Sequence, residues 1–113
     1  MESLAIKNLD NNKLVVEVQK KRLDAAFAVK FRDDILSLVQ QGHNKIIFNL
    51  SQVEFMDSSG LGALVSVMKA LGGNQNMVLC GVKDAVLTVF KLTRMDKIFV
   101  ITASEPDAIS RLS

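Results

Sequence analysis

The residues best placed to do chemistry are three oxygen-bearing side chains in a row, Asp57-Ser58-Ser59. They follow a largely apolar run, Lys45-Ile46-Ile47-Phe48-Asn49-Leu50, that reads as a buried strand. Beyond them Leu61, Leu64, Val65 and Met68 recur at i, i+3, i+4 and i+7, which makes one apolar helix face. Asp and Ser both cap helix starts, because their side-chain oxygens accept from the unpaired first-turn amides. With Asp57 or Ser58 as the cap, at least one serine hydroxyl stands near the surface at the positive end of the helix dipole. Free amides and the dipole stabilise a phosphate there. The stretch supports two readings, a plain helix cap and a phosphoacceptor serine.

Other chemistry is hard to assemble. Neither GxxxxGK[ST] nor GxGxxG occurs, and Gly60-Leu61-Gly62 is too short a glycine pattern to cradle phosphates. A hydrolase elbow would need Gly two residues before its serine, where Ser58 and Ser59 have Met56 and Asp57. His43 is the only histidine and adjoins Gly42 at a helix end, so a solvated helix-end ring is expected, not a general base. One His and one Cys at no ligand spacing argue against a metal, and no cofactor is expected. The chain reads as a substrate of some other enzyme, not as a catalyst.

The elements that must position these residues follow from periodicity. Leu4 and Ile6, then Leu14, Val16 and Val18, alternate with other residues on either side of the turn cluster Asp10-Asn11-Asn12, which predicts a hairpin. Lys20-Lys21-Arg22 reads as an exposed basic loop, and Asp24 as the cap of a helix from Ala25 to Gln41 that Gly42 stops. The helix after Asp57 is expected to run from about Ser59 to Leu71 and to end at Gly72-Gly73. Met77–Gly81 is a further buried strand. Val82, Val86, Val89 and Phe90 mark a third helix, Ile98–Ile101 the last strand, and Ser104-Glu105-Pro106-Asp107 the start of a terminal helix. The order ββαβαβαβα predicts an α/β fold, a mixed sheet with helices packed on it, as a single domain over residues 1–113.

Composition narrows the function classes. The 113 residues carry 14 basic and 12 acidic side chains, a net charge of +2 that gives no case for nucleic acid. The six Phe sit in apolar patterns and there is no Trp or Tyr to stack on bases. No apolar run reaches the ~18–20 residues of a membrane span. Met1-Glu2-Ser3, with no basic run or long apolar stretch, is not expected to begin a signal peptide. Cys80, the single cysteine, lies in the apolar run Met77-Val78-Leu79-Cys80 and is expected to be a buried small hydrophobe. A cytoplasmic domain without membrane insertion is expected.

Phe55-Met56-Asp57-Ser58-Ser59-Gly60-Leu61-Gly62 resembles the signature of STAS-domain anti-sigma-factor antagonists. Leu23-Asp24-Ala25-Ala26, the strand Ile46–Leu50 with its Asn49, and Lys91-Leu92-Thr93 before Met95-Asp96-Lys97-Ile98 extend the likeness along the chain. The resemblance implies that Ser58, the first serine after the aspartate, is the phosphoacceptor. It implies a partner that is both anti-sigma factor and serine kinase, with a histidine-kinase-like ATPase fold, and a PP2C-type phosphatase that restores the serine. Asp24 is implied as a partner contact. Asp57, Ser59, Gly60 and Leu61 follow by adjacency, and Met56 is divided between core and interface.

Lys21 stands where family members often have Gly, which leaves the shape of the basic loop open. Three other functions remain open as well: a STAS scaffold subunit of a membrane-associated complex such as a lipid transporter, a partner switch with a non-sigma output such as secretion, motility or a cyclase, and a small-ligand or nucleotide binder. The complete Asp57-Ser58-Ser59-Gly60 favours the phosphorylated switch.

Overall fold

A computed structural model of the chain describes residues 1–112. The hairpin forms as expected: β1 (Leu4–Asn8) pairs antiparallel with β2 (Lys13–Val18) across a turn in which Asn11 and Asn12 both take positive φ. Asn tolerates that conformation better than other side-chain-bearing residues. A two-residue strand β3 (Arg22–Leu23) then leads into α1 (Ala25–Gln40). Next come β4 (Lys45–Asn49), a second two-residue strand β5 (Phe55–Met56), and α2 (Ser58–Ala70). The chain continues through β6 (Met77–Cys80), α3 (Asp84–Leu92), β7 (Val100–Thr102) and α4 (Glu105–Leu112).

The main sheet has the order β1-β2-β4-β6-β7, parallel except for the hairpin. Register sorts its side chains between two cores. Leu14, Val16, Ile46, Phe48, Met77 and Leu79 face α1, α2 and α3. Val15, Ile47, Val78 and Cys80 face α4, which covers them with Ala108 and Leu112. Because helices lie on both faces, β4 and β6 are apolar without alternation. Among the described residues no polar or charged one is buried.

Both long helices end as the glycines predict. The amides of Gly42 and His43 return to Val39 and Leu38, and those of Gly72 and Gly73 to Lys69 and Met68. Gly42 and Gly72 have φ of 105° and 92°, values a side chain rarely accepts.

Several boundaries differ from the expectation. The buried residues of α2 are Gly60, Leu61, Ala63, Leu64 and Val67, so Leu61 and Leu64 of the expected face are buried, while Val65 and Met68 lie only at its margin. Its period begins at a glycine, which hydrophobic spacing does not count. The last strand starts at Val100, not Ile98, because a 3-10 turn at Met95–Lys97 carries on into a Phe99-to-Met95 bond. Phe99 is buried edge-on against Phe90, and Ile98 is left exposed. α3 starts at Asp84, so Val82 precedes it. Lys20-Lys21-Arg22 is not wholly a loop, since Arg22 belongs to β3. His43 is half-buried, not solvated. Its backbone bond to Leu38 folds it over the end of α1, and Nδ1 is buried without a hydrogen-bond partner among the described residues.

Cys80 is 1% exposed beneath α4, and burial, with the nearby Glu105 charge second, pushes its thiol up to about 11. A native-state thiol reagent is therefore expected to react slowly at pH 8, and a fast stoichiometric reaction would refute the burial. Folding favours the neutral thiol. The resulting stability is complete below the ordinary thiol value of 9.0 and is lost as pH rises from there towards about 11. Cys80→Ser is expected to lose this alkaline dependence in pH-resolved melts.

Candidate functional site

β3 and β5 pair parallel, Arg22 with Phe55 and Leu23 with Met56. The residue after each pair is an aspartate that caps a helix. Asp24 Oδ1 accepts from the Ala26 amide at 3.2 Å, and Asp57 Oδ1 accepts from the amides of Ser59 and Gly60 at 2.9 and 3.2 Å. Leu-Asp-Ala-Ala and Met-Asp-Ser-Ser are thus equivalent corners, held side by side by two residues of strand. Asp57 takes the cap, so Ser58 is the first residue of α2. It is exposed, and its hydroxyl makes no hydrogen bond within the described residues. Ser59 is half-buried.

Gly60 permits this arrangement. A Cβ there would collide with the Leu23 carbonyl oxygen and press on the Met56 side chain. The carbonyl is backbone and cannot swing aside. Gly62, two residues on, has nothing within 4 Å of where its Cβ would lie.

The neighbouring charges are ordered too. Arg22 Nε donates to Asp24 Oδ2 at 2.9 Å, and the guanidinium lies 4.1 Å from the centroid of the Phe55 ring. That bond to Arg22 holds the Asp24 carboxyl below its ordinary value, against an opposing effect of burial, and the Ala26 amide adds to it. Lys21 contributes backbone, its carbonyl accepting from Glu54 and Phe55 at 2.7 and 3.1 Å.

Asp24, Asp57, Ser58 and Ser59 therefore share one surface. Met56, Gly60 and Leu61 do not offer side chains to it. Met56 is 2% exposed and Leu61 7%, both in the main core, and Gly60 acts through the absence of a side chain. The assignment of Met56 partly to an interface is corrected on this ground: β5 turns its alternate residue, Phe55, outward, at 39% exposure. Phe55 and Arg22 were missed as parts of the site. The signal was available in an aromatic preceding the Met-Asp corner and a cation at the same place before Leu-Asp. An open groove of about 440 Å³ lies alongside, lined by Ala25, Val29 and Arg32 of α1 and Ser59, Gly62 and Ser66 of α2.

The STAS domain pattern matches residues 4–108. The chain belongs to the STAS-domain family of anti-sigma-factor antagonists. It is 32% identical over 72 residues to the anti-sigma-B factor antagonist of Staphylococcus epidermidis, covering 63% of this chain and 67% of that one. Its structure is similar to the anti-sigma factor antagonist SpoIIAA in its unphosphorylated form, with TM-score 0.79, 26% identity, and 96% and 95% of the two chains covered. An anti-sigma factor antagonist from Mycobacterium paratuberculosis matches with TM-score 0.84 and 25% identity over 96% and 92%. No described helix is long and apolar enough to cross a membrane.

The backbone contact at Gly60 gives a direct test of the STAS corner. Gly60→Ala is expected to cost about 1–3 kcal/mol in denaturant unfolding, the usual cost of overpacking. Gly62→Ala is expected to leave stability equal or raise it by up to about 1 kcal/mol, the helix-propensity gain. Equal effects of the two substitutions would contradict the close approach of α2 to Leu23.

Proposed function

We propose that this STAS protein is an anti-sigma-factor antagonist that switches partners through Ser58. The observation that carries the reading is the exposed, unbonded Ser58 hydroxyl at the first position of a helix already capped by Asp57. A hydroxyl with a capping role would have to give it up on modification, and this one has none to lose. It also favours a switch over a scaffold, for which that serine would need no accessibility. The relatives' names supply the partner class: anti-sigma factor antagonists of two genera, and SpoIIAA, a protein also solved in a phosphorylated form.

The partner in this reading is an anti-sigma factor that is also a serine kinase, with a histidine-kinase-like ATPase fold. Ser58 Oγ attacks the γ-phosphorus of ATP held by that partner, ADP leaves, and the hydroxyl proton passes to a base of the kinase. The unphosphorylated chain binds the anti-sigma factor and frees its target. Phosphorylation adds about −1.5 to −2 of charge beside Asp57, on a surface that meets its partner while neutral, so repulsion and desolvation weaken the complex. The first turn of α2 tolerates the charge, and the fold need not change. A PP2C-type phosphatase restores the hydroxyl. Asp24, Asp57 and Ser59 form the contact surface, with Phe55 and Arg22 beside them.

Intact-mass measurement after incubation with the kinase and ATP is expected to show one phosphate on the protein and none on Ser58→Ala, while Ser59→Ala still accepts it. Ser58→Ala is expected to bind the partner constitutively, and Ser58→Asp at least tenfold more weakly. Both are expected to melt within about 1 kcal/mol of the parent, since Asp57 remains the cap. Phosphate on Ser59, or equal affinities of the Ala and Asp variants, would return this stretch to a helix cap.

A further inference from the structure

A cleft of about 540 Å³ opens beside the capped corner of α1, between Glu2 and Ser3, the run Lys20–Arg22, and Asp24, Phe27 and Lys30. We propose that this cleft is a docking surface for an acidic segment of the protein partner that meets Ser58, and that it sets which partner is chosen. The proposal rests on the partner-switching reading above.

Four cations and two carboxylates line the cleft, and internal pairing leaves the cations in excess. Arg22 is matched by Asp24, and Lys30 by Asp34 at 2.9 Å. Lys21 has no side-chain partner among the described residues, and the contact of Lys20 is the ring of Phe27, 5.7 Å from its ammonium. Two ammonium groups therefore face the cleft with only Glu2 of opposite sign. Arg22 is held between a carboxylate and an aromatic face, so part of the positive surface is ordered before anything binds, which lowers the entropic cost of docking.

The layout suits a peptide better than a phosphate group. The cations are spread along the segment leading into β3 and along α1, beside apolar Phe27, with no glycine-rich run of backbone amides to cradle a compact anion. Carboxylates spaced along an extended chain fit such a distribution. Position supplies the link to the switch: Arg22 pairs in register with Phe55, three residues before Ser58. A partner seated over Ser58 needs only to extend past Phe55 to reach the cleft. Charges at the rim of a contact act mainly on association rate and on discrimination between partners.

The first probe is an octaglutamate peptide titrated into the isotope-labelled protein at low salt, read by amide chemical shifts. Shifts are expected to concentrate at residues 20–30, to shrink as ionic strength passes about 0.15 M, and to vanish in the double variant Lys20→Glu/Lys21→Glu. A second cation cluster, Lys91, Lys97 and Arg111 around Ile98, is the internal control, and Lys91→Glu/Lys97→Glu is expected to keep the response. Equal shifts at both clusters would reduce the effect to general charge attraction and overturn the proposal. So would inorganic phosphate or ATP saturating residues 20–30 at lower concentration than the peptide, since the cleft would then be a small-anion site. A thermal melt of each variant separates lost binding from lost folding.

Association kinetics with the partner kinase then divide this proposal from the one it rests on. Reversing Lys20 and Lys21 is expected to slow association about tenfold at low salt while the Ser58→Ala and Ser58→Asp difference persists. Unchanged association with that difference intact would overturn the cleft alone. Slowed association without a Ser58 difference would overturn the switch and leave the cleft.

Discussion

The contact on which the site depends is between backbone atoms: the Leu23 carbonyl lies against Gly60, where any Cβ would collide with it. Two other features follow from that approach. The start of α2 can lie next to β3, so that the two-residue pairing of β3 with β5 closes. Asp24 and Asp57 then fall at matching positions, each capping its own helix beside the other. With two aspartates satisfying first-turn amides, Ser58 and Ser59 are spared that task. Ser58 can face solvent because Asp57 accepts the bonds a serine cap would otherwise take.

The rest of the molecule makes this corner stiff. Phe27 and Phe31 of α1 pack ring against ring, and Phe31 packs in turn on Phe48 of β4, with centroids 5.9 and 5.6 Å apart. The aromatic run therefore joins the helix that carries one cap to the centre of the sheet. On the opposite face α4 is fastened by polar bonds at its start. Glu105 accepts from Asn49 at 3.0 Å and from Lys7 at 3.2 Å, and the Asn49 bond, followed by Lys7, holds its carboxyl below the ordinary value. Lys45 reaches the other end, donating to the Leu112 carbonyl. Asn49 also accepts from the Ser51 amide as the chain leaves β4 towards the site. One side chain at the end of the central strand thus serves both the rear helix and the turn leading to β5.

The parts legible in the sequence are those that local rules decide. The hairpin turn at Asn11-Asn12, the helix stops at Gly42 and Gly72, the aspartate caps and the unbroken apolar β4 each follow from a few adjacent residues. Resemblance implied a role for Ser58, and the structure places its hydroxyl in solvent. What periodicity could not supply was pairing between distant short segments. Arg22-Leu23 and Phe55-Met56 are too short to show alternation, so Arg22 read as part of a loop and Met56 as partly exposed. Only register decides which residue of such a pair turns outward, and it sends Phe55 to the surface and Met56 to the core. The face of α2 was only partly placed for a related reason: Leu61 and Leu64 are buried as expected, but the first-turn contact is Gly60, chosen for space and not for hydrophobicity.

If Ser58 is phosphorylated as proposed, this geometry lets the switch be decided at the interface alone. A charge added at Ser58 would meet the open end of the helix dipole and an aspartate whose Oδ1 already accepts from the Ser59 and Gly60 amides. In the free protein the favourable dipole offsets part of the repulsion from Asp57, and the new oxygens are hydrated. Under a docked partner the water is gone and the repulsion is screened less. The cost of the proposed phosphate would therefore fall on the complex far more than on the folded chain. That asymmetry requires Ser58 to be exposed in the free protein and covered in the complex, and an N-terminal first-turn position beside a rigid, glycine-spaced corner provides the first half of it.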